Sequence, residues 1–137
     1  MNADNYIKGR LATFCIEECS KTGNVDNMLA VAFVLRNRVD AGWHGGDWLS
    51  VIEDAPKQRG NFPPPLVGLS LRDYHIKEFL RQIDDVYTGE AEDELTQGAL
   101  YYAVLHTLTD EWFISNIVRN PNSHPRIAQV HLTSFFG

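Results

Sequence analysis

The sequence predicts an α+β fold: a mainly helical single domain with a small antiparallel β element near the C-terminus. Three observations predict it. The chain has 137 residues, of which 44% are hydrophobic, and this suits one compact domain over residues 1–137. Apolar residues recur at helical spacing through most of the chain. Short aromatic or alternating segments, which are typical of strands, occur only after residue 97.

The first predicted helix covers residues 4–21. Its apolar residues Ile7, Leu11, Phe14 and Cys15 follow the spacing of one helix face. A glycine-containing break follows the helix, and glycine is the residue most often found just past a helix end. We therefore expect an amphipathic helix that packs one face against the rest of the domain.

The second predicted helix extends to about residue 42 and has Asn24 or Asp26 as its N-cap. Residues 28–35 are apolar on every side of this helix. A helix without a polar face belongs at the centre of a domain, so we expect this one to be the most buried segment of the fold.

The later elements follow from shorter signals. Asp47 is a candidate cap for a short helix, and a Ser-Leu-Arg-Asp sequence resembles a capping box that begins a longer one. In chain order we predict a helix at 49–53, an irregular segment at 54–69, a helix from 70–73 to Gly89, an acidic connector at 90–97, a strand at 98–104, one or two helical turns at 110–118 and a terminal strand at 127–136.

Composition excludes several classes of partner. The formal charge is −6, and no cluster of Lys and Arg is present, so phosphate-mediated binding of nucleic acid or of an anionic membrane is not expected. No apolar run approaches the roughly 18 residues of a membrane span. The first ten residues lack the basic and apolar regions of a secretory signal. We expect a protein that is synthesised in the cytoplasm.

Glu18 is the residue whose position is unusual for its chemistry. It continues the apolar stripe of the first helix, whereas Glu17 projects about 100° away and is expected to be solvated. Burial raises the pKa of a carboxyl group, and the helix C-terminus also disfavours an anion, so both favour the neutral form that a general acid needs. The alternative is that Glu18 lies at the helix edge and pairs with Arg36, Arg38 or Lys21.

Other candidate chemistry is less specific. Cys15 and Cys19 are four residues apart on one helix face and are expected to be small buried residues, although a thiol–imidazole pair with His131 stays open. The five histidines lie in no ligand spacing, so no metal is expected. Asp47 and Asp54 are possible second carboxylates, but a helix cap and a loop start explain them equally well.

Several segments together resemble the SleB-type spore cortex-lytic cell-wall hydrolases. That family has a catalytic Glu at the end of its first helix, followed by an apolar helix with the pattern A-V-A-x-V-x-x-N-R-V. The matching positions, in order along residues 10–136, are Glu18, Ala30, Val31, Ala32, Val34, Asn37, Arg38, Val39, the G-A-L-Y-Y sequence at 98–102, Trp112, His131, Phe135 and Phe136. The Cys-Ser-Lys-Thr-Gly sequence after Glu18 departs from the family's E-A-R-G-E.

The resemblance implies a lysozyme-like fold with a glycan groove beside a small sheet. It implies cleavage of the β-1,4 bond between N-acetylmuramic acid and N-acetylglucosamine, with Glu18 as the catalytic acid and with no metal or organic cofactor. It implies substrate contacts from Tyr101, Tyr102, Trp112 and His131. Because neighbouring strand residues face opposite sides, only one tyrosine should face the groove, and core packing is the alternative for the other and for Trp112.

The partner implied by the resemblance is a peptidoglycan glycan strand, which the protein would reach after lysis or through a holin or a secretion machine, as a phage lysin does. Two alternatives remain. The first is a catalytically inactive relative that serves as a binding or adaptor protein. The acidic balance favours it, because a basic surface would help an enzyme to meet an anionic wall. The second is an interaction domain unrelated to glycans.

Overall fold

The computed structural model describes residues 3–19, 24–55, 72–105, 108–130 and 132–137. It confirms the predicted class: a mainly helical α+β fold whose small antiparallel sheet lies near the C-terminus. The elements are α1 (Ala3–Glu18), α2 (Val25–Asp40), a 3-10 turn (Trp43–Gly46), α3 (Trp48–Asp54), α4 (Asp73–Thr88), β1 (Tyr101–Val104), α5 (Glu111–Phe113) continued by a π-helical turn (Ile114–Val118), β2 (Arg126–Val130) and β3 (Thr133–Phe136).

Helix α2 is the centre of the fold, as its sequence predicts. Residues 27–35 are buried without interruption, and α1, α3 and α4 all pack against this helix. The side chain of Asn24 accepts a hydrogen bond from the backbone N–H of Asn27 at 3.0 Å, which confirms one of the two predicted caps. The three surrounding helices remove the apolar middle of α2 from water, and this burial stabilises the domain.

The end of α1 and the start of α4 differ from the prediction. Helix α1 ends at Glu18, and residues 20–23 lie outside the described ranges. The predicted capping box at 70–73 is wrong, because Arg72 has non-helical backbone angles and α4 begins at Asp73. There the ring nitrogen Nδ1 of His75 accepts a hydrogen bond from the backbone N–H of Arg72 at 3.0 Å. The end of α4 at Gly89, which has a φ of 83°, is confirmed.

The sheet consists of three antiparallel strands in the order β1–β3–β2. The prediction of one terminal strand over 127–136 is wrong, because the chain reverses at Leu132 and forms two strands there. The reversal places β3 between β1 and β2, with Tyr102 opposite Phe135. Strand β3 therefore pairs its backbone on both sides, which a single terminal strand at the sheet edge would not do.

The end of α4 and the segment before β1 are attached to the end of α2 by three consecutive polar side chains. Each of them donates a hydrogen bond to a backbone carbonyl across more than 50 residues of sequence. The bonds are Arg36 Nη1 to Tyr87 at 2.6 Å, Asn37 Nδ2 to Ala99 at 3.0 Å and Arg38 Nε to Leu100 at 2.8 Å.

Within the described ranges, no helix is both long enough and apolar enough to cross a membrane.

Candidate active site

Glu18 is the last residue of α1, and its side chain is buried, with 6% of its surface exposed. The hydroxyl of Tyr102, on β1, donates a hydrogen bond to Oε1 of Glu18 at 2.9 Å. Glu17 is exposed, so the helical phase predicted for this pair is confirmed. The end of the first helix and the first strand of the sheet thus meet at one buried carboxyl group.

Two cysteines lie beside Glu18 in sequence: Cys15 is on α1, and Cys19 directly follows the helix. Cys15 and Cys19 are buried, as predicted for small core residues. Burial raises the pKa of Cys15, with further increases from Cys19 and Glu18, and burial and then Glu18 raise the pKa of Cys19. Both thiols therefore stay protonated at neutral pH and are poor nucleophiles. His131, the imagined partner of a thiol, lies outside the described residues.

Tyr102 is buried on the face of the sheet that meets α1, where its ring packs near that of Phe135. Burial raises the pKa of Tyr102, and the charge of Glu18 raises it further, whereas Arg38 acts in the opposite direction. The hydroxyl consequently keeps its proton at neutral pH and is available as a hydrogen-bond donor to Glu18.

Tyr101 lies on the opposite face of the sheet, because side chains alternate along a strand. Its ring makes edge contacts with Trp43 at 5.6 Å, His124 at 5.2 Å and Phe113 at 6.3 Å between ring centroids. The structure therefore brings only one of the two predicted tyrosines to Glu18. Tyr101 belongs to the packing around α5.

Trp112 projects from α5 with 50% of its surface exposed. Core packing, the alternative predicted for Trp112, is therefore wrong, and its neighbour Phe113 is the residue that enters the core. The side chain of Asp110 caps this short helix by accepting a hydrogen bond from the N–H of Phe113 at 2.7 Å. The cap sets the helical phase that turns Phe113 inward and Trp112 outward.

Arg38 is a buried charged residue of α2 beside this site, with 0% of its surface exposed. Its guanidinium carbon lies 4.7 Å from the ring centroid of Trp43 and 5.8 Å from that of Tyr101. Burial lowers the pKa of Arg38, whereas Tyr102, Tyr101, Asp54 and Glu18, in decreasing order, raise it. The sequence indicated Arg38 only as a possible ion-pair partner of Glu18 and as a match to the family motif. It did not predict that Arg38 is buried beside the candidate site.

The two candidate second carboxylates have structural roles. Asp47 caps α3 by accepting hydrogen bonds from the hydroxyl and the backbone N–H of Ser50, and these bonds lower the pKa of Asp47. A carboxylate oxygen of Asp54, at the end of α3, lies within hydrogen-bond distance of Nε2 of His44, at 3.1 Å. The cap predicted at Asp47 is therefore confirmed. Asp54, like Glu18, also raises the pKa of Arg38 by its charge.

A cavity of about 300 Å³ lies between α1 and α3, on the side of α1 that carries Glu17. It is lined by Arg10, Thr13, Phe14, Glu17, Ile52 and Glu53.

In the part of the chain that the structure describes, no group of three or more His, Cys, Asp and Glu side chains could hold a metal ion.

Comparison with known proteins gives no match to a family model, to a curated protein or to a solved structure.

Proposed function

We propose that this protein is a peptidoglycan-cleaving glycosidase, a lytic transglycosylase or a muramidase that acts on the β-1,4 bond between N-acetylmuramic acid and N-acetylglucosamine. Glu18 is its catalytic acid. The observation that carries the proposal is the buried hydrogen bond from Tyr102 to Glu18, which joins the end of a helix to the sheet. The motif resemblance assigns the catalytic Glu to this same helix end.

The surroundings of Glu18 suit a group that must both give and accept a proton. Burial favours the neutral acid, because a charge is poorly solvated there. The Tyr102 hydroxyl favours the carboxylate by donating a hydrogen bond to it, and the charge of Arg38 and that of Glu18 stabilise each other.

In the proposed reaction, Glu18 donates its proton to the glycosidic oxygen while the bond from that oxygen to the muramyl C1 breaks. The resulting carboxylate then accepts a proton from the C6 hydroxyl of the same sugar, whose oxygen bonds to C1 and closes an anhydro ring. In the hydrolytic version, a water molecule replaces the C6 hydroxyl. One carboxyl group serves both proton transfers, which fits a site where Asp47 is engaged in a helix cap and Asp54 in a hydrogen bond with His44.

Two of the residues predicted to contact the substrate have a role in this proposal. Trp112 is exposed enough to stack on a sugar ring, whereas Tyr102 acts through Glu18. The proposed reaction uses no metal and no organic cofactor. The glycan strand is reached after lysis, or through a holin or a secretion machine.

The second candidate function is an inactive relative that binds a partner on the same scaffold. The 6% exposure of Glu18 favours it, because a catalytic acid must reach its substrate. The net charge of −6 favours it as well, since the cell wall is anionic.

Incubation with purified peptidoglycan, followed by mass analysis of the released muropeptides, separates these functions. Anhydro products, one water lighter than hydrolysed ones, identify a transglycosylase, and products with a reducing end identify a muramidase. An intact glycan together with a folded protein supports the binding module and contradicts the enzyme.

A further inference from the structure

Arg38 is the largest side chain that is completely buried in the described part of the chain. Its guanidinium group keeps its charge in proteins, and a buried charge is retained only where charged or polar partners compensate it. The groups whose charge raises the pKa of Arg38 come from three other elements: Glu18 of α1, Asp54 of α3, and Tyr101 and Tyr102 of β1. The residue therefore lies at the junction of the elements that build the candidate site.

The contacts of Arg38 concentrate on the start of β1. Nε donates a hydrogen bond to the carbonyl of Leu100 at 2.8 Å, one residue before the strand begins. The guanidinium plane also lies against the rings of Trp43 and Tyr101. Because Leu100 and Tyr101 directly precede Tyr102, these contacts restrain the backbone from which the Tyr102 hydroxyl reaches Glu18.

We propose that Arg38 is a positioning residue of the candidate site: by holding Leu100 and Tyr101, it sets the position from which the Tyr102 hydroxyl donates to Glu18. The geometric part of this inference stands independently of the catalytic activity. Its consequence for cleavage rests on the proposed function, because a displaced donor leaves Glu18 without the hydrogen bond that stabilises its carboxylate form.

Arg36 provides a matched control. It is two residues earlier on the same helix, and its guanidinium group donates to the carbonyl of Tyr87 at 2.6 Å and pairs with Asp40. It therefore has the same chemistry and a similar bond to the backbone, but it holds the end of α4 and not the start of β1.

The test is the ¹³C NMR signal of the Tyr102 ring carbon that bears the hydroxyl, which responds to the hydrogen bond with Glu18. The signal is assigned by its change in Glu18→Gln. We expect Arg38→Lys to move the chemical shift of this carbon toward the value that it has in Glu18→Gln. We expect Arg36→Lys to leave the chemical shift unchanged. A folded Arg38→Lys variant with the wild-type Tyr102 signal overturns the inference.

If Arg38→Lys does not fold, Arg38→Met decides the question. Methionine is a flexible, uncharged side chain, so this variant removes both the donor to Leu100 and the charge that must be compensated in the interior. We expect it to shift the Tyr102 signal in the same direction, and an unchanged signal contradicts the inference.

Activity measurements separate this inference from the proposed function. We expect Arg38→Lys to lower kcat for peptidoglycan cleavage by about 100-fold, the loss typical of a misplacement of about 1 Å, with KM unchanged. A wild-type protein that cleaves nothing refutes the proposed function alone, since the NMR signal still decides the role of Arg38. A cleaving enzyme whose kcat is the same in Arg38→Lys refutes the positioning role.

Discussion

At the residue scale, the hydrogen bond between Tyr102 and Glu18 is a buried contact between a donor and an acceptor that are 84 residues apart in sequence. Removing the Tyr102 hydroxyl takes this donor away from a buried carboxyl oxygen. The loss of one partner of a buried hydrogen bond destabilises a fold by more than the net free energy that the bond contributes. The bond therefore contributes both to the stability of the fold and to the properties of the proposed acid.

We predict that Tyr102→Phe lowers the free energy of unfolding by about 1–3 kcal/mol, because the buried hydrogen bond to Oε1 of Glu18 is lost. Urea unfolding followed by circular dichroism measures the change. Tyr101→Phe is the matched control on the other sheet face: it keeps the ring contacts with Trp43, Phe113 and His124 and is expected to cost less than about 1 kcal/mol. Equal losses in the two variants contradict this role of Tyr102.

At the element scale, the connector between α4 and β1 is held by one half-buried carboxylate. Asp93 accepts hydrogen bonds from Nδ2 of Asn37 at 2.9 Å, from the backbone N–H groups of Thr96 at 2.7 Å and Gly98 at 3.0 Å, and from the hydroxyl of Thr96. Burial acts to raise the pKa of Asp93, but the hydrogen bonds from Thr96, Asn37 and Gly98 outweigh it and hold the pKa below its usual range.

We predict that Asp93→Asn lowers the free energy of unfolding by about 1–3 kcal/mol at pH 7. A carboxylate with a lowered pKa in the folded state stabilises the fold above its unfolded pKa, about 3.9, and this contribution is lost as the pH falls through the lower folded value. The difference between wild type and variant should therefore shrink below about pH 4. The free energy of unfolding of the wild type and the variant, measured across this pH range, tests the prediction. Asp85→Asn, a change at an exposed position, is the control. A difference that stays constant with pH contradicts the account.

The local features of these elements could be predicted from the sequence. The burial of α2, the caps at Asn24 and Asp47 and the end of α4 at Gly89 all depend on residues a few positions apart. The inward phase of Glu18 follows from the same short-range periodicity. Such features are predictable because a helix places neighbouring residues on known faces.

The long-range features could not be predicted in the same way. A charged residue such as Arg38 at the end of a helix is usually exposed, and its burial here depends on Leu100 and on rings from two other segments. The choice of Tyr102 over Tyr101 depends on which sheet face meets α1, and strand alternation alone does not determine it. The division of the terminal segment at Leu132 depends on its pairing with β1.

At the scale of the whole molecule, stability depends on α2, which three other helices cover. We predict that Ala32→Asp prevents folding, because it places a charge at a position with 0% exposure. Ala41→Asp is the same change at the exposed C-cap of this helix, where an anion costs only about 0.3–1 kcal/mol. Far-ultraviolet circular dichroism and thermal unfolding compare them, and a cooperatively folded Ala32→Asp variant contradicts the central position of α2.

The most direct test of the central claim compares cleavage of purified peptidoglycan by the wild type, Glu18→Gln and Glu17→Gln, with released muropeptides quantified by mass spectrometry. Glutamine keeps the shape of the side chain but has no proton to transfer. The account predicts that Glu18→Gln releases no products while remaining folded, and that Glu17→Gln, altered at an exposed position, keeps most of the wild-type activity. Full activity in Glu18→Gln, or loss of activity in Glu17→Gln alone, would contradict the assignment of Glu18 as the catalytic acid.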